Sequence, residues 1–176
     1  MQETSNLIGN QKLLNILKNI KNFQNFAEED LRAFLDLGKL RRYESGEMII
    51  LEDEADKWVY FLLSGEVKII KEGKHINTLK ESGSIFGEMG MLDGSPRSAS
   101  IQANGPALVL ALDGSLIGRS ANTQRVTFYF SIFKYFAKVL TKRLRTVTDE
   151  NMKLHDELYN KENLLRQHSR DNDLIM

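Results

Sequence analysis

The spacing of apolar residues changes twice along the chain. Between residues 7 and 37 it is helical. LIGNQKLLNILKNI sets Leu13, Leu14, Ile16, Leu17 and Ile20 on one broad stripe, and FAEEDLRAFLDL follows with acidic residues in its first turn. From about residue 39 to 113 the apolar positions instead fall in short β-rich runs: EMIIL, WVYFLL, EVKII, HINTL, SASIQA and ALVLAL. Turns containing Gly46, Gly65, Gly73, Gly83, Gly94 and Gly105 separate them, at the spacing of a small all-β sandwich or barrel. Helix and strand patterns do not alternate, which argues against a doubly wound parallel sheet.

From about Asn122 onward there is neither Gly nor Pro, and the residues are mostly good helix formers, predicting one long helix or two. Steps of four and three from Val126 reach Phe130, Phe133, Ala137, Leu140, Leu144, Val147, Asn151, Leu154, Leu158, Lys161, Leu165 and His168. Such a sustained seam predicts a coiled coil. With Val126 at a d position, Asn151 falls at an a position, where a lone Asn favours a parallel dimer in fixed register. Phe128, Ile132, Phe136 and Val139 form a second apolar face suited to the β-domain, so the first part of this helix either pairs or folds back. The organisation expected is N-terminal helices at 1–37, a β-domain at 38–121 and a helix continuing into a coiled coil at 122–176.

Composition narrows the function. With 176 residues and 41% hydrophobic content, the chain has material for one core and an extra arm. Its 24 basic and 24 acidic residues cancel, so a charged partner must be recognised locally. The absence of Cys removes disulfides, thiolate chemistry and sulfur metal sites. The first residues lack a signal-peptide pattern, and no run approaches the roughly 18 apolar residues of a membrane span, so a cytoplasmic protein is expected. His75, His155 and His168 lie far apart, and no Walker loop, dinucleotide fingerprint or nucleophile elbow appears. Neither an enzyme nor a metal cofactor is expected.

The stretch FGEMGMLDGSPRSA, residues 86–99, is too irregular for a single helix or strand. Gly83 and Gly87 would free the backbone to approach a ligand, and Glu88–Leu92 could form a short turn with unpaired first amides suited to a phosphate. Arg97 adds a planar fork of donors for phosphate oxygens, and Ser98 a hydroxyl. Glu88 would repel a phosphate but can accept from ribose hydroxyls. On residue chemistry, two readings stay open: a site for a lightly charged nucleotide, or a Glu88–Arg97 pair at the rim of a barrel.

These motifs resemble the cyclic-nucleotide-binding domain shared by the bacterial catabolite activator protein, the regulatory subunits of cyclic-AMP-dependent kinase and cyclic-nucleotide-gated channels. The resemblance runs from about Phe23 to Arg145. It takes in FQNFAEEDLRAFL, YESGEMIILEDEADKWVYFLLSGEVKII, the cassette GSIFGEMGMLDGSPRSASIQA over 83–99 and beyond, and ALVLALD. It implies an α+β fold: a β-roll (jelly roll) of about eight strands flanked by N-terminal helices and a long C-terminal helix. It further implies that Arg97 grips the cyclic phosphate, Glu88 holds the ribose 2′-hydroxyl, and backbone near Gly87, Met89 and Ser98 meets phosphate and sugar. Ile69 would line the base pocket. Where the family usually has Glu-Gly-Asp this chain has Glu52-Asp53-Glu54, and an Asp tolerates a left-handed backbone better than most residues. Ser98 occupies the place where Thr often accompanies a cyclic GMP preference, which favours cyclic AMP slightly.

The expected function is thus a sensor for cAMP or cGMP. In it the ligand would find Arg97 and the cassette amides partnered only by water, and Phe86, Met89 and Leu92 would repack against the helix beginning near Thr123. The output expected is a parallel homodimer or a partner protein, since the residues after Arg145 keep the heptads and show no helix-turn-helix pattern. The basic stripe Lys134, Lys138, Lys142 and Arg145 reads as a solvated face, with nucleic acid a weaker alternative. The rival readings are a ligand-independent scaffold and, less favoured, a DNA-binding regulator.

Overall fold

The computed structural model describes residues 1–24, 26–116 and 123–173. The chain divides into two compact units, Met1–Phe133 and Lys134–Met176. Among the described residues the first holds helices α1 (Gln11–Asn19) and α2 (Glu28–Leu37) and nine strands: β1 (Gln2–Thr4), β2 (Gly38–Tyr43), β3 (Met48–Ile50), β4 (Trp58–Ser64), β5 (Val67–Lys71), β6 (Lys74–Leu79), β7 (Ile85–Phe86), β8 (Ser100–Ala103) and β9 (Ala107–Asp113). A short helix α3 (Glu88–Asp93) lies between β7 and β8, and one continuous helix α4 (Thr123–Asp173) runs from the first unit into the second. The strands form two sheets, β1-β2-β9-β4-β7 and β3-β8-β5-β6, with every pairing antiparallel. This is the expected β-roll.

Strand β4 shows why WVYFLL reads as a continuous apolar run: both of its faces are covered. Tyr60 and Leu62 point into the roll, joining Tyr43, Ile50, Phe86 and Val109, with Trp58 packed at the edge of this cluster. Val59, Phe61 and Leu63 alternate with them and are also buried. Phe61 meets Phe23 and Phe34 at ring-centroid distances of 5.6 and 5.0 Å, and Phe34 meets Phe128 of α4 at 5.1 Å. The N-terminal helices and the start of α4 therefore share one aromatic core on the outside of the larger sheet. In the same layer Ser131 Oγ donates to the buried Asp30 carboxylate at 2.8 Å. The side chain of Asn10 caps α1 by accepting from the Leu13 amide at 3.0 Å.

Two strands carry no apolar signature. In β2, GKLRRY, three of six residues are cationic, yet Arg41 is accommodated beside the roll because its charge is answered there. Its guanidinium lies 4.2 Å from the Trp58 ring centroid, donates to Tyr60 Oη at 3.1 Å and to Glu3 Oε2 at 2.8 Å. Lys39 Nζ bonds the other Glu3 oxygen at 2.9 Å, and the Lys39 and Arg41 hydrogen bonds, in that order, hold the Glu3 carboxyl below its ordinary range. Burial pushes the Tyr60 hydroxyl up to about 12, against the opposing pull of Arg41, so it stays a neutral donor-acceptor. Residues Gln2–Thr4, which fall in the segment 1–37 expected to hold N-terminal helices, instead form β1 on the edge of β2. The exposed seam residues of α4 in the second unit include Leu144, Val147, Leu154 and Leu158. The side chains of Leu165 and His168, the last seam positions, lie outside the described residues.

Candidate functional site

The cassette is a chain reversal built from β7, α3 and the segment returning to β8. Phe86 ends β7 inside the roll, stacked on Tyr60 at 5.2 Å with planes 7° apart. Gly87 follows with φ +79°, a left-handed conformation costly for any residue with a Cβ. A Cβ there would also lie 2.8 Å from Arg97 Nη1 and 2.9 Å from the Trp58 carbonyl oxygen. Gly87 is thus required twice, by its backbone and by the close approach of Arg97. After α3, Gly94 is again left-handed, and Asp93 Oδ1 accepts from both the amide (2.9 Å) and hydroxyl (2.5 Å) of Ser95, an Asx turn whose hydrogen bonds lower the pKa of the Asp93 carboxyl and which returns the chain toward Arg97.

Arg97 is only 3% exposed. Its Nε donates to Asp56 Oδ2 at 3.0 Å, Nη1 to the Gly87 carbonyl at 2.5 Å, Nη2 to the Trp58 carbonyl at 2.6 Å, and Nη2 also to Asp56 Oδ1. Four of the five guanidinium N–H groups are engaged among the described residues, leaving one on Nη1. The expectation that Arg97 has only water as partner before ligand arrives is therefore corrected: a buried guanidinium needs a counter-charge and acceptors, and Asp56 with two carbonyls supplies them. Asp56 was not singled out from the sequence. The local signal was present, since its Oδ1 also accepts from the Trp58 amide at 2.8 Å, the Asp-x-Trp turn that opens β4.

The backbone ties the same segments together. The amide of Arg97 donates to the Glu54 carbonyl and the amide of Asp53 to the Arg97 carbonyl, both at 2.9 Å. Asp53, the residue replacing the family's usual Gly, has φ +65°, the left-handed conformation expected of it.

Glu88 opens α3 at 2% exposure. With Asp30, Glu88 and Arg97 make up the buried charged residues among those described, and both come from one fourteen-residue stretch. Met89 is 48% exposed on the outer side of α3, and Ser98 is exposed with its hydroxyl 3.8 Å from the Met89 sulfur. Ile69 sits on β5 opposite Ile101, partly buried against the interior cluster. Two expectations about neighbouring residues are overturned. Gly83 does not open the backbone to a ligand: it is left-handed, and a Cβ there would meet Ile20 Cγ2 at 2.6 Å and Asn22 Cβ at 2.8 Å, so it admits the N-terminal segment. Phe86 offers no face for a moving helix, because it is fixed in the roll interior, whereas Met89 and Leu92 are exposed. Among the described residues no group of His, Asp and Glu could hold a metal ion, and no helix is long and apolar enough to cross a membrane.

Residues 40–120 match the sequence profile of the family described as cyclic nucleotide-binding domain. That match assigns residues 40–120 of the chain to the cyclic-nucleotide-binding domain family. A solved cyclic nucleotide-binding domain from Methylobacillus flagellatus superposes with a TM-score of 0.67 at 27% identity, covering 80% of each chain. The type II regulatory subunit of cAMP-dependent protein kinase from Drosophila melanogaster is 32% identical over 102 residues, 58% of this chain and 27% of that protein. A cGMP-dependent protein kinase from Eimeria tenella is 35% identical over 101 residues, 57% of this chain and 10% of the kinase. The chain thus spans under a third of either kinase protein. The cyclic-nucleotide-binding domain is a regulatory module rather than a catalytic one, and the cassette described above lies within its matched segment.

Proposed function

We propose that this cyclic-nucleotide-binding domain is a working cytoplasmic sensor, slightly favouring cAMP over cGMP, that passes ligand binding along α4 to a second copy or a partner protein. The observation that carries the reading is the burial of Glu88 and Arg97 at one turn. Burying two opposite charges costs several kcal/mol unless each is answered, and Arg97 is answered by Asp56 and carbonyls rather than by an ion pair with its cassette neighbour. In this reading the cyclic phosphate takes the remaining Nη1 donor of Arg97 with the amides beside Gly87 and Ser98. Glu88 receives the ribose hydroxyl, and Ile69 borders the base.

A phosphate on the guanidinium competes with Asp56 for the same positive charge. Because the 53–56 loop is also hydrogen-bonded to the Arg97 backbone, any readjustment is shared by cassette and loop together. Exposed Met89 and Leu92 are the apolar surface of α3 that such a movement carries with it. To switch the output, the ligand must favour one arrangement by a few kcal/mol.

The test is calorimetric titration with cAMP and with cGMP. Micromolar or tighter binding of at least one, about −8 kcal/mol, is expected. Silence with both nucleotides, together with unchanged thermal stability, leaves the second reading: a scaffold whose Asp56–Arg97 clamp is self-sufficient. The four engaged donors of Arg97 are the observation that keeps this alternative in view.

A further inference from the structure

The charges of α4 are segregated along its length. From Lys134 to Val147 the helix carries Lys134, Lys138, Lys142, Arg143 and Arg145 and no carboxylate. From Thr148 to Asn163, five carboxylates (Asp149, Glu150, Asp156, Glu157 and Glu162) outnumber two lysines. Along the same helix Leu144, Val147, Leu154 and Leu158 stand exposed at heptad spacing, an apolar face that needs a partner, since a lone helix of this kind is marginal in water. A parallel pair would lay basic half on basic half and acidic half on acidic half. Its flanking contacts would set Glu157 against Glu162 of the other copy on both sides, and would give Arg143 only Thr148.

We infer that the occupant of this face is a second copy of the chain running antiparallel, with the two-fold axis near Asp149. This rests on the reading that α4 pairs with another copy, and changes the direction expected from Asn151 by itself. Reversal stacks Leu140 on Leu158 and Leu144 on Leu154 of the other copy. Val147 meets Asn151 in the two central layers, so the two asparagines occupy adjacent layers beside the axis. The flanking contacts become Arg143 with Glu157 and Lys134 with Glu162, each formed twice, against a single Glu150–Glu150 contact at the axis. Opposite fields then overlap along the whole seam, which supplies direction as well as affinity.

The full chain has no Cys, so a single probe site can be introduced cleanly. Asn160→Cys, exposed and outside the proposed seam, carries a nitroxide label for a dipolar distance measurement. In the antiparallel dimer, residue 160 lies beside residue 138 of the other copy, so the two labels are separated along the axis by about 33 Å at about 1.5 Å per residue. In a parallel dimer the axial separation is zero. A single distance population above about 30 Å supports the proposal. A population below about 25 Å overturns it while leaving the pairing of α4 standing, and loss of any intermolecular signal with a monomeric mass overturns both. A second variant guards against distortion by the label: Arg143→Glu is expected to weaken the dimer about threefold to tenfold, and Arg143→Glu with Glu157→Arg to restore it. Failure of the double variant to recover would also overturn the antiparallel arrangement.

Discussion

Arg97→Ala separates the two tasks assigned to one side chain. The substitution removes the donors that satisfy the Gly87 and Trp58 carbonyls and strips Asp56 of its counter-charge. A buried acceptor left unpaired costs about 1–3 kcal/mol. Asp56 is 32% exposed, so water recovers much of its hydration and its share is discounted. The total is about 2–5 kcal/mol, which for a chain of this size lowers Tm by roughly 5–15 °C. The second task is read in the same melt with nucleotide added. Ligand at one hundred times its Kd stabilises the parent by about 2.7 kcal/mol, whereas Arg97→Ala is expected to gain almost nothing. Arg97→Lys should keep the charge but not the fork, recovering part of the stability and little of the ligand response. An unchanged Tm in Arg97→Ala would refute the clamp. A full ligand-induced shift in that variant would refute the phosphate role, whatever happened to the stability.

Three further expectations follow from the same geometry. Glu88→Gln should weaken cyclic nucleotide binding by about 1.5–3 kcal/mol, the worth of a hydrogen bond to a charged group; the loss should vanish with a 2′-deoxy ligand, and an equal loss for both ligands would exclude a ribose role. Gly87→Ala imposes a Cβ at φ +79° and 2.8 Å from Arg97 Nη1, so denaturant unfolding should show a loss of about 1–3 kcal/mol, and a neutral result would mean the turn is not fixed as described. Because Lys39 and Arg41 depress the Glu3 carboxyl, its contribution to stability is present above the unfolded-state value and is lost as pH falls through the lower folded-state value. Amide protection factors in β1, taken relative to the intrinsic exchange rate at each pH, should therefore fall in acid and stay level in Glu3→Gln; identical acid responses in parent and variant would dissociate β1 from this ion cluster.

The local patterns were sufficient wherever a residue's environment follows from its neighbours in sequence. Helical spacing around Leu13–Leu17 and the acidic first turn before Leu31 produce α1 and α2, and short β-rich runs between glycine turns produce β3 to β6. Gly87, Glu88 and Arg97 could be grouped from the sequence because they stand within one short loop, but the Asp56 carboxylate and Trp58 carbonyl that hold Arg97 come from outside it. The strand β2 was not legible, since KLRR is charged and only Glu3, Trp58 and Tyr60 from other segments make its Arg41 acceptable beside the core.

What the sequence by itself determined is the inventory: a β-domain, two short helices, a heptad-bearing helix, and a carboxylate and a guanidinium at one loop. Tertiary structure decided what those groups touch. Asp56 is 41 residues from Arg97, and Ser131 is 101 residues from Asp30. Gly83 proved to make room for Ile20 rather than for a ligand. The physical reason is common to all three. A buried polar group must be answered by whatever the fold brings within hydrogen-bond reach, and a glycine is needed wherever two segments approach too closely for a Cβ. Periodicity encodes which face of an element is covered; only the closing of the roll selects the partner that covers it.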